Sequence, residues 1–169
     1  MLRLDLARLG REGAALVDAR IPADDPLWQG TELRFTGPVA VALRATSAGT
    51  GELVVRGRVS AELRQECRRC LEPLVVPLEV DVTLVFAPEG SGAEEAGDVR
   101  VYAARTPQLD LSEAVREEVI LAVDPYVVCD PECRGLCPLC GANRNVESCD
   151  CREEASDPRW EVLRSLQSE

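Results

Sequence analysis

Residues 53–86 read LVVRGRVSAELRQECRRCLEPLVVPLEVDVTLVF, and their alternation decides the fold. Before the two cysteines, the odd positions Leu53, Val55, Val59, Ala61 and Leu63 are apolar, whereas the even ones are Arg56, Arg58, Ser60, Glu62, Arg64, Glu66 and Arg68. Successive side chains of a strand point to opposite faces, so this is a strand with one buried and one wet face. Beyond the cysteines, Leu74, Val76, Leu78, Val80, Val82, Leu84 and Phe86 share a side, and Pro77 among them points to an edge or a bulge. Between the two runs, Cys67-Arg-Arg-Cys70 falls where a hairpin turn is expected.

The pattern continues outward. In Leu33–Ala45 the odd positions Leu33, Phe35, Val39, Val41 and Leu43 are apolar, with a bend expected at Gly37-Pro38, and SAGTG follows as a turn. Three such runs predict an antiparallel meander. The acidic, glycine-rich EGSGAEEAG at 89–97 reads as a surface loop or linker. Asp110 followed by Glu113 fits a capping box, and Leu111, Val115 and Val119 recur at helical spacing until Asp124-Pro125, which predicts an amphipathic helix near 110–123. Asp157-Pro158 reads as a second helix start, with Trp160, Leu163 and Leu166 as a stripe that docks on the chain's own core. The expected class is α+β: an antiparallel β domain with its helix over 1–125, then a cysteine-rich knuckle segment with a short terminal helix over 126–169.

Composition removes most catalytic machinery. The 169 residues contain no histidine, and all 19 basic residues are arginine. That rules out a Ser-His-Asp triad, an imidazole metal ligand, a Schiff-base lysine and a Walker-type phosphate loop, so a non-enzymatic protein is expected. No apolar run approaches the roughly 18 residues of a membrane span, and the amino terminus MLRLDLARLGREGAA has no continuous apolar segment. A cytoplasmic protein with no membrane partner and no small-molecule substrate is the expectation. The net charge of −11 repels a phosphate backbone over most of the surface and makes basic proteins the more natural partners.

Six of the eight cysteines lie between positions 129 and 151. In a reducing compartment such clusters serve as metal ligands or redox centres more often than as disulfides. Cys137-Pro-Leu-Cys140-Gly has the form of a zinc knuckle, because two thiolates at this spacing reach one tetrahedral ion and the following glycine permits a positive φ. Zn2+ is the expected cofactor, with Cys133, Cys137, Cys140 and Cys151 as ligands and Cys129 and Cys149 as replacements for Cys133 or Cys151. The separate pair Cys67 and Cys70 is open between a turn-stabilising role, a metal half-site completed by leftover cysteines, and a thiol oxidoreductase. Helix pattern after Cys67, which would lower a thioredoxin-type pKa, is absent from the sequence. Arg56, Arg58, Arg64 and Arg68 share one strand face and Arg69 adds to its end, so this stripe is the place where RNA or an acidic partner could dock. The bland reading is a solvated face with Glu62 and Glu66 as cross-strand partners.

The upstream C-x-R-C-L-x-P motif (Cys67, Arg69, Cys70, Leu71, Pro73), the downstream GLCPxCGxN motif (Gly135 to Asn143) with Cys149-Asp150-Cys151, and the closing DPRWEVLRSL together resemble the YceD family, the large ribosomal RNA subunit accumulation proteins. The resemblance covers roughly residues 50 to 166. It implies a non-enzymatic bacterial or organellar factor needed for accumulation of large-subunit ribosomal RNA, with ribosomal or ribosome-assembly proteins, and that RNA, as partners. Members of the family differ in whether they keep the downstream cysteines, which implies two independent features rather than one eight-cysteine cluster. Arg144 stands where the family commonly has leucine, a departure that touches local packing of the knuckle. The alternative reading is a cytosolic redox sensor whose thiolates release zinc on oxidation.

Overall fold

The computed structural model describes residues 2–48, 51–92, 98–103 and 105–151. The chain divides into two compact units: residues 1–65 with 73–127, and residues 66–72 with those from Val128 onward. The tip of the central hairpin therefore groups with the cysteine-rich segment. The predicted terminal helix from Asp157, with its Trp160 stripe, lies outside the described residues.

The first unit is an α+β fold. It opens with β1 (Arg3–Asp5), the short helix α1 (Leu6–Glu12) and β2 (Ala14–Ile21). The Asp5 carboxylate accepts from the Arg8 backbone N–H at 2.8 Å, and Gly13, at φ +73°, ends the helix by donating to the Leu9 carbonyl. None of this is evident from a charged amino terminus, yet Leu2, Leu4 and Leu9 are fully buried. After a 3-10 turn at Pro26–Trp28 come β3 (Val39–Ser47), β4 (Leu53–Glu66), β5 (Pro73–Pro88), β6 (Val99–Tyr102) and β7 (Gln108–Asp110).

The main sheet has the order β2-β3-β4-β5-β6, and β1 pairs with β7 in a small second sheet. β2 to β4 are antiparallel, with Leu43 opposite Gly57 and Ala42 opposite Arg58. The expected run at 33–45 is split: Gly37-Pro38 interrupts it, leaving Phe35 in a single bridge to Leu63 ahead of β3. The antiparallel meander is also incomplete. β6 runs parallel to β5, pairing Val99 with Val85. Since β6 covers only Val85–Pro88, Pro77 sits where β5 has one strand neighbour, which suits a residue without an N–H.

The apolar alternation reappears as burial. Val55, Val59, Leu63, Val80, Val82, Leu84 and Phe86 join one core with Leu43, Trp28 and Phe35, whose rings meet at 4.8 Å. Helix α2 (Ser112–Ala122) closes this core through Leu111, Val115 and Val119. Its start differs from a capping box. Asp110 accepts from the Ser112 N–H at 2.9 Å, but the Glu113 carboxylate turns to Arg116 at 3.7 Å. Burial raises the Asp110 pKa, and bonds from Ser112 together with the nearby Arg3 charge outweigh it and hold the carboxyl below its usual range.

Gly57 marks the tightest approach of two strands. A Cβ built there would overlap the Ala42 carbonyl oxygen and lie 2.8 Å from Leu43 Cα. Only glycine fits without moving β3. Gly57→Ala is expected to destabilise the fold by about 1–3 kcal/mol, seen as a lowered midpoint in thermal unfolding; an unchanged midpoint would mean that the strands separate freely here.

Candidate metal centres

Two loops of the second unit have the same backbone. In Cys67–Glu72, the Cys67 N–H donates to the Glu72 carbonyl at 2.9 Å and the Leu71 N–H to the Cys67 carbonyl at 2.9 Å. In Cys137–Ala142, the Cys137 N–H donates to Ala142 at 2.8 Å and the Gly141 N–H to Cys137 at 2.9 Å. The residue after the second cysteine is left-handed in both, Leu71 at φ +62° and Gly141 at φ +76°. A side chain normally resists that conformation. CRRCLE is thus a knuckle of the same construction as CPLCGA, a likeness that their sequences hide at the decisive fifth position.

The eight sulfurs form two sets of four, Cys67, Cys70, Cys129 and Cys133, and Cys137, Cys140, Cys149 and Cys151, with all sulfurs of a set within 4.8 Å of one another. Within the first, Cys67 and Cys133 are 3.8 Å apart and Cys70 and Cys129 are 3.6 Å apart. A tetrahedral ion with metal–sulfur bonds of about 2.3 Å has sulfurs about 3.8 Å apart, whereas a disulfide needs about 2.05 Å. Each set therefore fits one metal ion. The expected ligand set is redistributed: Cys137, Cys140 and Cys151 come together, but Cys133 joins the upstream pair and Cys149 completes the downstream set. The sulfurs of Cys67 and Cys70 come together with those of Cys129 and Cys133.

The surroundings of the sulfurs are built for negative charge. Asn145 donates from Nδ2 to Cys133 Sγ at 3.2 Å, and its Oδ1 accepts from the Arg134 N–H at 2.8 Å. The Arg69 backbone N–H points at Cys67 Sγ at 3.4 Å. Its guanidinium spans to the carbonyls of Pro131 and Cys133, at 3.0 and 2.9 Å, and so ties the two halves of the first set together. Gly135, at φ +69°, lets the Leu136 N–H reach the Arg69 carbonyl at 2.9 Å; a Cβ there would lie 2.8 Å from that oxygen. Arg144 keeps its backbone bond to the Gly135 carbonyl, so its departure from leucine leaves the loop intact.

These donors act on acidity. Burial raises the Cys67 thiol, but the amides of Cys129, Cys70 and Arg69 outweigh it and lower it to about 6. The amides of Cys140 and Leu139 lower Cys137 to about 6 as well. Against them, Cys133 and Cys70 push Cys129 up to about 12, and Cys140 together with burial pushes Cys151 up to about 12. A thiolate formed at one corner disfavours another beside it. A cation at the centre removes that conflict and lets all four ionise. The sets differ in exposure: Cys67, Cys70 and Cys133 are buried, whereas in the second set only Cys137 is.

The arginine stripe divides. Arg56, Arg58 and Arg64 are exposed on β4, but Arg58 pairs with Asp81 at 3.1 Å and Glu79 at 3.9 Å across the sheet. Arg69 is occupied in bracing the first cysteine set, and Arg68 lies exposed beside it. Glu62 accepts from the Thr36 hydroxyl at 3.0 Å rather than from an arginine. Sequence reading missed Asn145, whose role at Cys133 has no signal in its neighbours beyond its place in a cysteine-rich loop.

The chain matches the family described as large ribosomal RNA subunit accumulation protein YceD over residues 55–167. An uncharacterized protein of Mycobacterium tuberculosis is 34% identical over 166 residues, covering 96% of this chain and 79% of that protein. A maize protein named large ribosomal RNA subunit accumulation protein YCED homolog 1, chloroplastic, is 30% identical over 181 residues, and the match covers 87% of this chain and 61% of the maize protein. The uncharacterized protein YlbN of Bacillus subtilis is 26% identical over 137 residues, or 80% of this chain and 78% of YlbN. No solved structure matches. The family match begins within β4 and spans both knuckles and all eight cysteines, so the chain belongs to the YceD family.

Proposed function

We propose that this protein is a non-enzymatic, cytoplasmic ribosome-biogenesis factor that supports accumulation of large-subunit ribosomal RNA. The observation that carries this reading is the family match over 55–167, together with the printed name of the maize relative. The factor acts by binding. With a net charge of −11 it takes a basic ribosomal or assembly protein on its acidic surface, and large-subunit RNA is the second partner. Among the described residues no helix is long and apolar enough to cross a membrane.

In this reading each cysteine set holds one Zn2+, a metal suited to four thiolates in a closed structural site. The zinc ions organise a binding surface and take no part in chemistry. A second reading, a zinc-thiolate redox sensor, is favoured by the exposure of Cys140 and Cys151. Mild peroxide that neither frees zinc nor forms disulfides would eliminate it.

Protein purified under reducing conditions is expected to carry two zinc ions per chain, and Cys70→Ser and Cys140→Ser are each expected to lose one, measured by elemental analysis. A stoichiometry of one, or loss of both ions from either substitution, would refute independent four-thiolate sites. For the biological role, affinity capture from cells is expected to enrich ribosomal proteins, precursor particles or large-subunit RNA over a charge-matched control. Absence of all three would reject the assembly role.

A further inference from the structure

The wet face of the main sheet sets arginine opposite arginine. Register places Arg44 of β3 directly opposite Arg56 of β4. The Arg64 N–H donates to the Arg34 carbonyl at 2.7 Å beside the Phe35–Leu63 bridge, which sets Arg34 across from Arg64 in the same way. Arg20 of β2 lies two strands from Ser60 on this face, through Ala40. All five arginines are exposed, and among the described residues none has an acidic partner within 4.0 Å. The carboxylates nearby are Asp18, Glu62, Glu66 and Glu32, none of them within 4.0 Å of these arginines, and the Glu79 and Asp81 that Arg58 already occupies.

Like charges directly opposite in an antiparallel pair destabilise a sheet. A chain with 30 acidic residues for 19 basic ones has ample carboxylates to neutralise two such pairs, yet leaves them facing water. Resting on the ribosomal reading, we propose that this face, through Arg20, Arg34, Arg44, Arg56 and Arg64, binds the phosphate backbone of helical RNA. Helical rather than single-stranded RNA fits because the described positions of β2 to β4 on this face hold no aromatic side chain on which a splayed base could stack. Guanidinium groups read phosphate as planar, multidentate donors and need no base contact. The two arginine pairs are separated by about 27 Å along β4, eight residues at about 3.4 Å each, so the face engages phosphates beyond a single site. The acidic remainder of the protein restricts RNA to this one orientation.

The test is fluorescence anisotropy of the zinc-loaded protein with an RNA duplex of about 20 base pairs, over a series of salt concentrations. Wild type is expected to bind with steep salt dependence, and Arg44→Glu with Arg56→Glu to weaken binding at least tenfold. Arg44→Gln with Arg56→Gln should reduce the salt slope by about two while leaving the melting temperature unchanged or higher, since it relieves repulsion in the free sheet. Arg8→Glu, on α1, should bind as wild type. No duplex binding at low salt, equal binding by the double variants, or tighter binding of a single strand of the same length would overturn the proposal. So would capture of an acidic protein that the double variant loses while keeping RNA. Particle association separates the two readings. A double variant that still captures precursor particles dismisses this face and keeps the assembly role; duplex binding without particle capture by wild type does the reverse.

Discussion

Among its described residues the second unit has no apolar core, and that constraint governs it. Its described buried hydrophobic residues are Cys67, Cys70, Cys133 and Cys137, all of them candidate ligands, while Leu71, Leu139 and Val146 face solvent. Segments this small cannot offset the entropy of ordering by burial alone. What the described residues offer instead is two sets of four sulfurs with the geometry to hold a cation, backed by amide dipoles aimed at sulfur. The Arg69 guanidinium and the Asn145 carboxamide exist to hold those sulfurs in place, as groups behind metal ligands commonly do.

The two knuckles show how one backbone is encoded twice with unequal ease. Gly141 adopts the left-handed fifth position freely, whereas Leu71 does so at a cost of order 1 kcal/mol that the closed hydrogen-bond ring must offset. The leucine therefore conceals the motif from anyone scanning for C-x-x-C-G. Strain of this kind persists only where surrounding bonds over-determine the geometry, and Cys67 is held from both sides by Glu72 and Leu71.

Strands β4 and β5 and the stripe of α2 were legible because each buries one face, and burial imposes its period on the letters. The cysteines were legible as ligands for the same reason that they cluster. Their partition was not, since 59 residues separate Cys70 from Cys129 and no local pattern records which loops a hairpin tip will meet. Likewise β1 and α1 are too short to show periodicity, although Leu2, Leu4 and Leu9 anchor them. The arginine stripe of β4 was legible, but its cross-strand partners were not. Arg44 lies opposite Arg56 and Arg34 opposite Arg64, pairings that only register reveals.

The unequal reach of the two cysteine sets also has a consequence for how the chain is made. All ligands of the downstream set fall between Cys137 and Cys151, so that set can close as soon as its own short segment has left the ribosome. Cys67 and Cys70 emerge long before Cys129 and Cys133, and in between the whole of β5, β6 and α2 must be synthesised. Closing the longer loop costs roughly 0.6 kcal/mol for each doubling of length, a modest thermodynamic term but a long wait. During that interval the thiols of Cys67 and Cys70 lack their partner sulfurs and are open to oxidation or to the wrong metal, yet because Cys133 precedes Cys137 the upstream set still has all four sulfurs out of the ribosome before the downstream set is complete.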